Sequence, residues 1–189
     1  MFTEDGRNIK DVTERCAQGL QVLGRLKNIW NARNTSMTVK CKMYNTLVLP
    51  VILYGAETWT LRRTEENKLL TTEMTCLRRI RGISRRDKIR NNSIREMVGI
   101  KKNILETLEE RRLRWYGHVR RMQRERIPQK AMTTYVEGKR TKGRQRKRWI
   151  QGVDEALEKR GTTLKGIHQG VYDRELWKAK CRMSWTQRP

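Results

Sequence analysis

The chain has 189 residues, with 44 Lys plus Arg against 20 Asp plus Glu and a formal net charge of +24. At 22.6 kDa it has room for one ordinary domain or two small modules, and its 36% hydrophobic content allows only a thin core. No apolar run approaches the roughly 20 residues of a membrane-spanning helix, and the opening, with Glu4, Asp5 and Asp11, lacks the basic start and apolar stretch of a signal peptide.

Apolar residues recur at Ile9, Val12, Cys16, Leu20, Leu23, Leu26 and Ile29, intervals of three and four that describe one face of a long helix closed by Trp30. Ser36 is the candidate N-cap of a second helix through Val39, Met43, Leu47 and Val48, apolar on nearly all sides and therefore expected to be fully buried. Pro50 should kink it and Gly55 should end it. Thr64 is the candidate N-cap of a third helix that uses Leu70, Met74, Leu77 and Ile80. It finishes in Arg78, Arg79 and Arg81, where cations suit a helix C-terminus, and Arg85 and Arg86 follow.

Asn92 or Ser93, with Glu96 completing a capping box, should open a short helix that stops near Gly99. A long helix is expected from about Lys101, with Ile104, Leu108, Trp115, Val119 and Met122 as its buried stripe and Arg111, Arg114, His118 and Arg121 beside that stripe. Pro128 marks a break, and Ala131 to Val136 is open between a short strand and an irregular segment. Residues 138–148 carry Lys139, Arg140, Lys142, Arg144, Arg146, Lys147 and Arg148 without one acid, a loop by composition that pivots on Gly138 and Gly143. Trp149, Ile150, Val153 and Leu157 define a further helix stopped by Gly161, with Asp154, Glu155 and Glu158 on its exposed side. Asp173 should cap a final helix holding Leu176, Trp177 and Cys181, after which Trp185 to Pro189 should fray. No strand series exists from which to build a sheet, so the expected fold is mostly α.

The charge balance is +3 over residues 1–61, +12 over 62–130 and +9 over 131–189. Like charges concentrated in this way repel unless a polyanion neutralises them, which makes nucleic acid the expected partner. An anionic membrane would want a basic helix with a wide apolar face, and none of these helices has one. An interaction fragment whose basic face meets an acidic protein is the alternative. Catalysis has little support: His118 and His168 are the two histidines, and no nucleophile elbow or apolar aspartate pair occurs. The G-x-x-x-x-G frame at Gly138 fails as a phosphate-binding P-loop because Arg144 and Gln145 stand where Lys and Ser or Thr are required. Cys16, Cys41, Cys76 and Cys181 match no metal-ligand spacing and read as reduced thiols. Neither cofactor nor metal is expected. Trp115, Tyr116, Tyr135 and Trp149 lie near the basic stretches and could stack on unpaired bases, but Trp115 and Trp149 also fit the core stripes, and burial is the expected state for both.

Five stretches form a set: YNTLVLPVILYGAETWTL from Tyr44, CLRRIRGIS from Cys76, RRLRWYGHVRRM from Arg111, RIPQKA from Arg126 and GRQRKRW from Gly143. In order and spacing they resemble the C-terminal part of the endonuclease–reverse transcriptase polyprotein of non-LTR (LINE-type) retrotransposons. TEDGRNIKDVTERC at the start and DRELW from Asp173 extend the resemblance over nearly the whole chain, while Gln145 departs from the Pro common in the family's basic motif. The resemblance implies a helical, thumb-like region over residues 1–90 that packs on the template–primer duplex. It further implies a basic helical extension over 91–189 that holds template RNA or target DNA. The palm, with its YADD-type aspartates, and the endonuclease would lie upstream of Met1, so the resemblance implies partner regions in a parent polyprotein and no catalytic residue in this chain. Without a signal peptide at the start, the chain is expected inside the cell, nuclear or cytoplasmic, and not secreted.

Overall fold

The computed structural model describes residues 8–134, 143, 147–167, 169–183 and 185. Its elements are helical, with no strand among the described residues: α1 (Ile9–Arg25), α2 (Lys27–Asn31), α3 (Met37–Met43), α4 (Leu49–Ile52), α5 (Arg63–Arg81), α6 (Asn91–Val98), α7 (Ile104–Arg120), α8 (Ile127–Thr133), α9 (Trp149–Glu158) and α10 (Arg174–Arg182). No helix is long and apolar enough to cross a membrane among those residues. The mostly α fold expected from the periodicity is the fold observed. The chain forms two compact units, Met1–Thr107 and Leu108–Pro189. Within the first unit α6 packs on α3 and α5.

In the first unit α1 lies against α4 and α5 and buries Val12, Cys16 and Leu23. Gly19 allows the close crossing of α1 and α4, since a Cβ there would stand 2.3 Å from Ile52 Cγ1. The single long helix expected up to Trp30 is broken at Leu26, and Ile9 is exposed. The break has a visible cause: the Trp30 indole donates to the Leu23 carbonyl at 2.8 Å and takes the acceptor that the next helical turn would use. Trp30 is itself buried, and its carbonyl receives the ammonium of buried Lys40 at 2.6 Å.

Ser36 caps α3 as expected, its hydroxyl accepting from the Val39 N–H at 3.3 Å. Between α3 and α4 the backbone widens into one π-helical turn, Tyr44–Val48, in which the Leu49 N–H reaches back to the Tyr44 carbonyl. Pro50, which has no N–H to give, sits in the first turn of α4, so the expected kink is absorbed by that turn. Full burial of this segment does not hold: Val48, Ile52 and Leu53 are buried, but Val39 and Leu47 face outward. Gly55 ends it at φ +69, a conformation that suits glycine.

Two expected caps move. Thr64 lies inside α5; the helix starts at Arg63, and Glu65 reaches back to accept from the Arg62 N–H at 2.8 Å. Similarly, α6 begins at Asn91 after Arg90, so neither Asn92 nor Ser93 caps it. For α7 the true box is Asn103 with Glu106, the Asn103 side chain accepting from the Glu106 N–H at 2.9 Å, which starts the helix at Ile104 rather than near Lys101.

In the second unit the core joins Leu113 and Tyr116 of α7, Val153, Ala156 and Leu157 of α9, Ile167 and Val171, and Trp177 and Cys181 of α10. Of the expected α7 stripe, Ile104, Leu108 and Val119 are buried, but Trp115 and Met122 are only half-buried, and Leu113 and Tyr116 take the core positions. Trp177 fixes this choice by donating its indole N–H to the Leu113 carbonyl at 2.9 Å. Pro128 does not break the chain but falls in the first turn of α8, where its missing N–H costs nothing; residues 131–133 of the segment left open between strand and irregular belong to this helix, and Tyr135 and Val136 lie outside the described residues. Asp154 is not a mere exposed counter-charge, since it accepts from the Leu164 N–H at 2.9 Å and holds the following loop. Asp173 caps α10 as expected, accepting from the N–H groups of Glu175 and Leu176, both at 3.0 Å. Of the stretch expected to fray, Trp185 is held, its indole donating to Glu109 at 2.6 Å under the Lys159 ammonium, 4.1 Å from the ring centre, and residues 186–189 lie outside the described residues.

Candidate nucleic-acid interface

The end of α5 in the first unit is where the sequence-predicted cations first converge. The helix stops at Gly82, φ +76, with the Ile83 N–H returning to the Arg78 carbonyl at 2.9 Å. A tight loop follows, stitched by the Ser84 N–H on the Asp87 carboxylate at 2.7 Å and by the Arg86 N–H on the Ser84 hydroxyl at 3.1 Å. Arg78 closes this loop from below. Its guanidinium donates to the carbonyls of Ser84 at 3.5 Å and Ile89 at 3.1 Å and to the Asn91 side-chain oxygen at 2.9 Å.

The five expected residues of this region therefore have different tasks. Arg78 is committed to the fold and spans the loop from one end to the other. Arg79, Arg81, Arg85 and Arg86 are exposed, and their guanidinium groups have no hydrogen-bond or carboxylate partner among the described residues. Such unneutralised groups on a stiff support can meet phosphate oxygens at low ordering cost. Lys88 joins them at φ +51, a left-handed conformation that marks the sharp return of the loop.

Beside this loop, α5 and α6 enclose an open groove of about 730 Å³. Arg78, Arg85 and Arg95 line it together with Asn67, Asn91, Asn92 and Asn103, Thr71 and Thr75, over Leu70 and Met74. The sequence reading missed this assembly apart from Arg78 and Arg85. It took Asn92 for a helix cap, and no local signal shows that residues near 67, 91 and 103 share one wall. Arg95 is anchored from behind by Glu73 at 2.7 Å. Glu73 is almost wholly buried; burial raises its carboxyl above the ordinary range, while the Arg95 guanidinium and the Ile104 N–H work against that rise.

In the second unit the basic face of α7 is present but largely engaged. Arg114 is exposed and paired with Glu110 one turn earlier, and Arg121 donates to the Val171 carbonyl at 2.6 Å. Arg111 is half-buried, and exposed His118 stands with its ring 5.7 Å from that of Trp115. Lys147 pairs with Glu155 at 2.5 Å, and the Arg148 N–H is taken by Gln151 at 2.7 Å at the start of α9. Lys139, Arg140, Lys142, Arg144 and Arg146 lie outside the described residues. Trp149 is half-buried against the core, its ring 6.3 Å from Tyr116.

Among the described residues no group of three His, Cys, Asp or Glu side chains gathers to hold a metal ion. The cysteines are free thiols, with Cys16, Cys76 and Cys181 buried. Burial raises all of their pKa values, that of Cys76 to about 12 and that of Cys181 to about 11, so at neutral pH they are packing groups rather than nucleophiles.

A helical protein with an arginine-rich loop beside a polar groove is as far as the geometry alone defines the class. No family model matches the chain, and no solved structure matches it. The chain is similar, at 26% identity over 160 residues, to a Caenorhabditis elegans protein named as transposon-derived, F52C9.6. The match covers 80% of this chain and 57% of that protein, so the chain spans a little over half of its relative's length.

Proposed function

We propose that this chain is a nucleic-acid-binding C-terminal part of a non-LTR retrotransposon reverse transcriptase, which holds template RNA, primer or target DNA by the phosphate backbone. The transposon-derived relative agrees with the five-motif resemblance, and the +24 charge agrees with a polyanionic partner. The observation that carries the reading is the loop after α5, where Arg79, Arg81, Arg85 and Arg86 stand exposed, without carboxylate partners among the described residues, on a support braced by Arg78. Cations needed only for solubility would not require a preorganised loop. By the resemblance, which puts no catalytic residue in this chain, the isolated chain would hold its ligand without polymerising or cutting it.

The test is fluorescence anisotropy of a labelled RNA–DNA hybrid across a salt series. With about six phosphates contacted, log affinity should fall against log salt with a slope of roughly −5. A slope near zero, or no binding at low salt from a folded sample, overturns the reading. Primer extension by the same sample should give no product.

A further inference from the structure

We propose that the groove between α5 and α6 is a pocket for an unpaired nucleotide, its base inserted beside the Asn67 and Asn91 amides and its flanking phosphate held by Arg85. This inference rests on the nucleic-acid reading above and adds to it a particular site and a strand state.

The lining sets the ligand's charge. None of its residues is a carboxylate, and it brings three guanidinium groups together. Glu73 behind the wall balances Arg95, whereas Arg78 is held by neutral carbonyl and amide oxygens and Arg85 has no partner among the described residues. Two positive charges thus remain at the groove, which calls for an anion. The floor and walls set its shape. Leu70 and Met74 offer an apolar surface to a flat ring, and the rims offer amides. Asn67 makes no side-chain hydrogen bond among the described residues, and Asn91 spends only its oxygen, on Arg78, leaving its amide donors for a ligand. Asn103 is engaged with Glu106 through both its amide atoms, so Asn67 is the amide that presents a donor and an acceptor side by side, the pattern that matches a base edge.

The concavity then decides between paired and unpaired nucleic acid. Reading a duplex requires a convex element that enters its groove, whereas a cavity can meet a base edge only when the base is turned out of its stack. At about 730 Å³ the groove falls in the range of ligand-sized pockets, about 300–1,000 Å³. RNA and DNA share this chemistry, and the assay separates them.

The experiment uses the full chain. Anisotropy is measured at one salt concentration for a single-stranded oligoribonucleotide, the matching oligodeoxyribonucleotide and the duplex of the latter with its complement. Thr71→Trp is compared with wild type, since Thr71 is exposed on the groove wall and the larger ring fills the space without changing charge. The expected result is a loss of about tenfold in single-strand affinity with duplex affinity unchanged, in line with the worth of one recognised base. A second readout needs no variant: a 5-iodouracil-bearing strand should photocrosslink to the tryptic peptide Leu69–Arg78, which carries Leu70 and Met74 of the floor. Unchanged single-strand binding by Thr71→Trp, or crosslinks confined to other peptides, overturns the pocket while leaving the general nucleic-acid reading in place. Failure of single strand and duplex alike to bind overturns both.

Discussion

Arg95 Nη2 lies 2.7 Å from Glu73 Oε2, and the Glu73 side chain is 1% exposed while that of Arg95 is 18% exposed. The pair ties α6 to α5 and separates the core of the first unit from the groove that Arg95 helps to line. Its charges differ in their access to water, so removing either partner has an unequal effect.

Replacing Arg95 by Met strands a buried carboxylate, and the expected loss is about 3–5 kcal/mol, read from the urea midpoint. The double variant Arg95→Met with Glu73→Gln should recover most of it. The pH dependence has a definite sign. The Glu73 carboxyl is raised above its ordinary value of 4.5, with burial as the largest cause and Arg95 opposing it. The native state therefore holds this proton more tightly than the unfolded state does. The stability linked to that proton is fully present below about pH 4.5 and is lost as pH rises through the native value. Without Arg95 the native value moves up further, so the penalty in Arg95→Met should shrink as pH falls toward 4.5. A penalty independent of pH would contradict this account.

Gly117 lies where α7 meets α10, and a Cβ there would stand 2.1 Å from Trp177 Nε1 and 2.5 Å from its Cδ1. Gly117→Ala must push the indole away from the Leu113 carbonyl that it now reaches at 2.9 Å. We expect a loss of about 1–3 kcal/mol from overpacking, together with a red shift of tryptophan emission as Trp177, now 2% exposed, meets water. Wild-type stability in this variant would show that the helices can separate at little cost.

Thiol chemistry tests the burial pattern in both units. At pH 8 under native conditions a maleimide or disulfide reagent should modify Cys41 first, because Cys16, Cys76 and Cys181 are buried. Burial raises Cys76 to about 12 and Cys181 to about 11, against an ordinary value of 9.0. Protons held by the native state and released by the unfolded state stabilise the fold fully below pH 9, and this contribution is lost as pH rises toward 11 and 12. The unfolding midpoint should fall across that window, and Cys76→Ala and Cys181→Ala should reduce the slope. Rapid labelling of all the thiols in folded protein would refute the packing described.

Features settled within a single turn of chain were legible from residue order. Ser36 and Asp173 act as caps because a short side-chain oxygen reaches an N–H two or three residues ahead. Gly55, Gly99 and Gly161 stop their segments because each takes a positive φ that other residues avoid. Where a cap came from the wrong residue, the competing signal was also local: Glu65 reaching back to Arg62 starts α5 before Thr64 can serve. Of the residues proposed for phosphate contact, Arg79, Arg81, Arg85 and Arg86 are exposed, the common state of a charged side chain without a buried partner.

Residue order by itself thus determined the helical class, several helix ends and the two cationic stretches, all of which follow from spacing, capping reach and solvation of charge. Tertiary packing alone decided that Leu113 and Tyr116, rather than Trp115, face the core of the second unit. It alone turned Arg78 from a surface cation into a brace and set Asn67, Asn91 and Asn103 around one groove. Which face of a helix is covered, and which distant side chains share a wall, depends on the shape of the partner helix. That shape is a property of side chains far apart in sequence and has no signature within any single turn.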